Sequence, residues 1–418
     1  QNQVVVTANA AYMNTGEGLH RFMDPVDNET YLYTQFESAD ARRMYACFEQ
    51  PDLKATFQLT VLAPCHWQVI SNSPTPEKEN LPDGGCRWEF EPTPRMSTYI
   101  TALVAGPYHV VRDEYVGKNG TYPLGVFCRE SLAQFLDSDE ILTVTKQGFE
   151  FFEEQFKVPY PFAKYDQLFV PEFNAGAMEN AGCVTILEDY VFRSRVTHAA
   201  YEQRANTILH ELAHMWFGDL VTMTWWDDLW LNESFAEWAA HHANVHATRY
   251  TDAWTTFANL RKAWAYRQDQ LPSTHPIAAD MVDLDAVRVN FDGITYAKGA
   301  SALRQLVAWV GEPEFLAGLH NYFTKHAWGN TELKDLLTEL EATSGRDLSG
   351  WTREWLQTSG VNLLRPVINT ADGVYTSVVI EQEPPAVPEG LEPVLRSHRV
   401  GIGLYDVIDG ELTLRERF

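Results

Sequence analysis

Basic residues are scarce in this chain. Lys and Arg number 32 against 57 Asp and Glu, a formal charge of −25 over 418 residues. Phosphate recognition needs a basic face, so no nucleic-acid partner is expected. Cysteines are few: Cys47, Cys65, Cys86, Cys128 and Cys183. Their number is odd, their spacings are wide and no CxxC pair exists. Neither a disulfide framework nor a cysteine metal site is expected. The five read as buried free thiols in a reducing, cytoplasmic compartment. No run of 18 apolar residues occurs, so no membrane span is expected. No signal peptide is visible, although the chain opens on Gln1 rather than Met. Internal repeats and long low-complexity tracts are also missing.

The rest is ordinary for a folded chain. Hydrophobic residues make up 45%, charged residues 21% and aromatics 13%, enough for large cores and an aromatic-lined pocket. The length suits two or three domains. An acidic surface favours cationic ligands, such as a peptide with a free amino terminus, and otherwise keeps the protein soluble.

Pattern divides the chain in three. Residues 1–106 read as a β domain, incomplete at its start. Its strand-like segments Ala55–Leu62, Trp67–Ser71, Cys86–Phe90 and Thr98–Val104 are separated by turn clusters such as residues 82–85. Residues 107–360 read as α/β with a mainly helical second half. Asn119-Gly120 predicts a primed hairpin turn with two positive-φ residues. Ser138–Phe156 predicts a helix capped by Ser138. Gln167–Val170 predicts a strand, and Thr331–Thr343 a helix capped by Thr331 and closed by Gly345. Residues 361–418 return to β, with strands at Val374–Ile380 and Arg399–Val407 around a Pro/Glu-rich loop, Gln382–Pro393. This last piece is too short to bury a core alone.

The chemistry concentrates at His210–His214, which reads HELAH and matches HExxH. On a helix, positions i and i+4 share a face, so both imidazoles can hold one ion. Ala200–Phe217 has helical patterning and Gly218 can end it. A catalytic zinc site needs a third protein ligand and an open position. Glu233 follows His214 after 18 intervening residues, near the start of a second helix. An antiparallel return would complete a His₂Glu set for one Zn²⁺ ion. Glu211, beside the ion rather than on it, could take a proton from water and pass it to a leaving amine. The implied reaction is amide hydrolysis. His241, His242 and His246 form a competing cluster with no carboxylate in a suitable place, and read as solvated histidines.

Four motifs together resemble the aminopeptidase N family of zinc exopeptidases, in its bacterial form. They are HExxH with its downstream Glu, GAMEN at Gly176–Asn180, Tyr296 within ITYAKGA, and TQFE at Thr34–Glu37. The resemblance implies an α+β multidomain fold: an N-terminal β domain, a thermolysin-like catalytic domain, and the start of a small β-sandwich domain. It implies peptide substrates with a free N-terminus; the lack of a long apolar run separately predicts no membrane partner. Glu179 and Glu37 would bind the substrate α-amine, with Gln35 beside them. The backbone of Gly176 and Ala177 would pair with an extended substrate, and Met178 and Asn180 belong to the same binding loop. Tyr296 would donate a hydrogen bond to the oxyanion. Ala175 stands where several family members carry a larger residue, so a roomier first pocket is expected. The family usually has more chain at both ends, so the sequence reads as an internal fragment.

Other readings remain. A bifunctional epoxide hydrolase relative tends to carry GGMEN, against Ala177 here. An endopeptidase sharing HExxH conflicts with Glu37 and Glu179, which would disfavour an uncharged continuing chain. A catalytically dead scaffold should lack at least one of His210, Glu211, His214, Glu233 or Tyr296, and none is missing.

Overall fold

Apolar alternation in the first hundred residues builds two antiparallel sheets. In a computed structural model that describes residues 2–384 and 393–418, β1 (Gly18–Met23), β2 (Thr30–Gln35), β4 (Gln68–Ser71) and β7 (Leu103–Gly106) form one sheet, ordered β1-β2-β7-β4. Strands β3 (Thr60–Pro64), β5 (Glu79–Asn80) and β6 (Gly85–Glu89) form the other, ordered β3-β6-β5. Tyr31, Leu32 and Tyr33 of β2 are all buried, because this strand is covered on both faces. Tyr33 donates its hydroxyl to the Glu172 carbonyl at 3.1 Å, tying β2 to the following α/β region. The end of β2 is thereby fixed where Gln35 and Glu37 emerge.

The second region has a five-stranded mixed sheet. Its strands are β8 (Tyr108–Gly117), β9 (Gly120–Arg129), β10 (Tyr165–Val170), β11 (Ala177–Met178) and β12 (Cys183–Leu187), ordered β11-β12-β10-β9-β8. Every residue of β10 is buried. Helix α1 (Ser138–Phe156) has the expected bounds and packs on this sheet and on α2 (His198–His214). A Cβ at Gly148 would meet Leu209 Cδ2 at 2.5 Å, so the glycine is what lets α2 come so close. Helix α3 (Trp230–Ala247) and several shorter helices follow. The short strands β13 (Thr222–Met223) and β14 (Asn330–Thr331) pair in parallel. Two hairpins, β15 (Leu363–Ala371) with β16 (Val374–Glu383) and β17 (Gly403–Ile408) with β18 (Glu411–Arg417), complete the mixed α+β architecture. Among the described residues, no helix is long and apolar enough to cross a membrane.

Several expectations need correction. Cys65 and Cys86 are joined in a disulfide across 21 positions. Pairing of β3 with β6 sets Ala63 opposite Cys86, which brings the next turn residue, Cys65, alongside; wide spacing had hidden this. Cys128 and Cys183 are buried free thiols as expected, but the cysteines no longer argue for a reducing compartment. The β8–β9 turn is Lys118-Asn119, one residue early, and neither has positive φ. The register that stacks Tyr115 on Tyr122, centroids 6.4 Å apart, prevails over the turn preference. Thr98–Val104 begins as a 3₁₀ turn and becomes a strand only at Leu103. Asp137, not Ser138, occupies the cap position of α1. Thr331 lies in β14, and Glu332 caps the helix Leu333–Ser344 through a capping box with Asp335; Gly345 closes it at φ 65°. Residues 382–383 belong to β16, and 385–392 of the expected loop lie outside the described residues.

Candidate active site

Thr197 caps α2, accepting from the Ala200 amide at 3.3 Å. The helix carries His210, Glu211 and His214 on its last turns, all buried. Gly218, at φ 125°, lets the chain reverse. Helix α3 then returns antiparallel: Glu233 meets His214, Glu237 meets His210, and Asn244 bonds Asn206 at 3.2 Å. His210 Nε2 and His214 Nε2 lie 3.0 Å apart, with Glu233 Oε2 at 3.2 Å and 3.4 Å from them. Three ligand atoms therefore face one point from two helices. His214 donates from Nδ1 to the Phe217 carbonyl at 2.9 Å, which leaves Nε2 free for a cation. Burial would raise the Glu233 carboxyl, but His214 and His210 offset it and hold the group low. Burial lowers His210; in His214, Glu179 and Glu233 outweigh burial and raise it.

The site lies in a cleft of about 530 Å³. Glu37 arrives from the end of β2 and Glu179 from just beyond β11, the edge strand of the large sheet. Oxygens of Glu37, Glu179 and Glu233 lie within 4.8 Å of one another. Buried oxygens of Gln35, Glu37, Glu179 and Glu211 have no hydrogen-bond partner. Burial raises Glu37, Glu179 and Glu211; Glu179 and Glu233 add to it for Glu37 and Glu211, and Glu233 adds to it for Glu179. Buried carboxyl oxygens without a hydrogen-bond partner are costly, and a bound cation would offset that cost.

Tyr296 stands on a π-helical turn, Ile294–Lys298, and its ring stacks on His210 with centroids 6.1 Å apart. Asp292 caps this turn by accepting from the Ile294 and Thr295 amides at 2.9 Å and 3.1 Å. Ser234, next to Glu233, donates to the Thr295 carbonyl at 2.5 Å. A Cβ at Gly299 would sit 1.9 Å from Ser234 Oγ, so this approach requires glycine. Burial and Glu233 push the Tyr296 phenol up, which keeps it a neutral donor.

Not every expected residue reaches the cleft. Met178 is 1% exposed and belongs to the core. Asn180, fully buried, donates to Thr185 Oγ1 at 3.2 Å. The Gly176 carbonyl already accepts from the Leu187 amide at 3.0 Å, so only the outer side of this edge is open to further pairing. Ala175 is exposed at the rim. His241 and His242 are buried, against expectation, while His246 is exposed. His241 faces the Glu237 carbonyl at 2.8 Å and His242 stacks on Trp238, 5.0 Å between centroids. Sequence reasoning missed Ser234, Glu237, Arg261, Trp264 and Asp292. Only Glu237 gave a signal, one helical turn after Glu233.

Residues 141–355 match the peptidase family M1 domain, and residues 6–100 the peptidase M1 N-terminal domain. The chain belongs to peptidase family M1. Among family M1 relatives, aminopeptidase N of Streptomyces lividans is 63% identical over 99% of this chain and 50% of its own length. A leucyl aminopeptidase of Saccharolobus solfataricus is 37% identical over 80% of this chain and 42% of its own. Tricorn protease-interacting factor F2 of Thermoplasma volcanium is 36% identical, with the same coverages of 80% and 42%. The chain thus spans about half the length of the curated relatives it matches.

Proposed function

We propose that this family M1 chain carries the catalytic site of a zinc aminopeptidase that removes N-terminal residues from peptides. The observation that carries this reading is the pair Glu37 and Glu179, each with a buried carboxyl oxygen that lacks a hydrogen-bond partner, beside the His210–His214–Glu233 triad. The triad's nitrogen and oxygen donors fit zinc, with one ion per chain held by those three residues. Zinc, when bound, supplies a water of lowered pKa and polarisation of the substrate carbonyl. Glu37 and Glu179 accept hydrogen bonds from the substrate ammonium, and Gln35 borders it. They act as a ruler, since only a free amine sets its own residue's carbonyl at the metal position. Glu211 takes a proton from the attacking water and passes it to the leaving amine. The Tyr296 hydroxyl donates to the developing oxyanion. The edge backbone at Gly176 and Ala177 aligns the peptide, while Met178 and Asn180 support that edge from behind.

The division at residues 106 and 360 belongs to the same reading, with 361–418 as part of a β-sandwich. A cytoplasmic location is proposed only on the acidic surface.

The test is hydrolysis of a leucyl anilide beside its N-acetyl form, before and after chelation. Cleavage of the free amine only, lost on chelation and restored by zinc, is expected. Equal cleavage of both would remove Glu37 and Glu179 from their roles and favour an endopeptidase.

A further inference from the structure

The two histidines of the triad are held differently. His214 has a backbone carbonyl on Nδ1 at 2.9 Å, with Glu179 farther off at 3.9 Å, whereas His210 Nδ1 has no such hydrogen bond and faces the Glu237 carboxylate at 3.7 Å, a charge contact. Glu237 is 2% exposed and grips Arg261 through both oxygens, at 2.6 Å from Nε and 2.8 Å from Nη2. The Arg261 guanidinium lies over Trp264, 4.9 Å from the ring centroid. Trp264 stacks with Tyr296 at 6.4 Å, and Tyr296 stacks with His210 at 6.1 Å. The contacts close a ring: His210, Glu237, Arg261, Trp264, Tyr296 and back to His210. Arg261 and Tyr296 both ride on π-helical turns, Phe257–Arg261 and Ile294–Lys298. Such turns are rare and cluster at working sites.

We propose that Glu237, Arg261 and Trp264 are positioning residues that lock the His210 imidazole against Tyr296. A carboxylate gripped by Arg261 and set beside Nδ1 favours the proton on that nitrogen and aims the Nε2 lone pair at the metal position. The Arg261 fork occupies both Glu237 oxygens, so this second carboxylate of α3 cannot swing onto the metal itself. Through Trp264 the same fork fixes the face on which the Tyr296 ring rests. The inference rests on the zinc reading above.

The test measures zinc affinity by chelator competition, with the melting temperature of the metal-free protein beside it. Glu237→Gln should weaken zinc about 10- to 100-fold while the metal-free protein still melts cooperatively. Arg261→Lys keeps the charge but loses the fork and should weaken zinc less. Trp264→Leu should keep zinc affinity near that of the wild type and lower kcat at unchanged KM. Zinc bound by Glu237→Gln as tightly as by the wild type would overturn the proposal. So would a metal-free protein that melts earlier with its zinc affinity unchanged, since that marks a merely structural pair. If Glu237→Gln does not fold, Arg261→Lys decides, and unaltered zinc affinity there overturns the proposal. A wild type that takes up no zinc would instead sink the aminopeptidase reading.

Discussion

The cleft between α2 and α3 and the two C-terminal hairpins both invert the usual distribution of polar and apolar groups, in opposite directions. In the cleft, Glu37, Glu179 and Glu211 turn unpartnered oxygens into a buried space. In the hairpins, Val407 and Leu412 face each other across β17–β18 at 70% and 75% exposure. The first inversion is expensive, because an unpaired buried carboxyl costs several kcal/mol as an ion or must hold a proton. The second costs less per residue, although exposed apolar side chains gathered on one hairpin face are the kind that another layer covers. Only the costly inversion points to chemistry.

The largest expected effect breaks the cleft without touching its ligands. Glu211→Gln removes the proposed base and should lower kcat about 10²- to 10⁴-fold. Zinc content by metal analysis should stay at one per chain, because Glu211 is not in the triad. Retained turnover would mean that the base lies elsewhere. Tyr296→Phe comes next. It removes the proposed oxyanion donor and should lower kcat about 10²- to 10³-fold at similar KM. A rise in KM alone would make Tyr296 a binding residue.

Proton linkage sharpens the comparison. Glu37, Glu179 and Glu211 stand above their ordinary value of 4.5, mainly through burial. Their contribution to stability is full below that value and is lost as pH rises through the raised ones. His214, also raised, acts in the same direction. His210, lowered, opposes them below 6.5. Glu233 and Glu237, held low, contribute above 4.5 and lose that contribution only in stronger acid. The metal-free protein should therefore melt at lower temperature as pH rises from about 5 to 8. Added zinc should raise the melting temperature most at the upper end. A metal-free melting temperature that climbs over this range would contradict the clustering of uncompensated carboxyls.

Legibility from sequence follows the same divide. His210, Glu211, His214 and Glu233 were readable because helical periodicity and one downstream carboxylate specify them locally. Helix α1 was readable to its ends because its apolar period is strong. Glu37 and Tyr296 came only from resemblance, since nothing local tells a cleft carboxylate or phenol from a surface one. The Cys65–Cys86 bond, the Lys118-Asn119 register and the burial of His241 and His242 depend on which strands and helices meet. The Arg261–Trp264–Tyr296 stack is likewise tertiary, and its π turns have no pattern of their own in the sequence.

A smaller effect concerns selectivity at the rim. Ala175→Met should narrow the first pocket and shift preference toward alanyl over phenylalanyl substrates by about 10-fold, the scale of a small apolar volume change. An unchanged ratio of kcat/KM values would show that Ala175 does not bound that pocket.

The smallest effect tests the other side of the comparison. If hairpin exposure is cheap in this chain, Val407→Thr and Leu412→Thr should each change stability by no more than about 0.5 kcal/mol, since neither makes a cavity nor strands a buried polar group. The contrasting change is Leu209→Ala in α2, fully buried against α1, which should cost about 2–5 kcal/mol. Denaturant melts of the metal-free protein measure all three on one scale. A loss of several kcal/mol from Val407→Thr would mean that β17–β18 is covered in solution. The apolar inversion would then mark an interface, with as much to say about function as the carboxyls of the cleft.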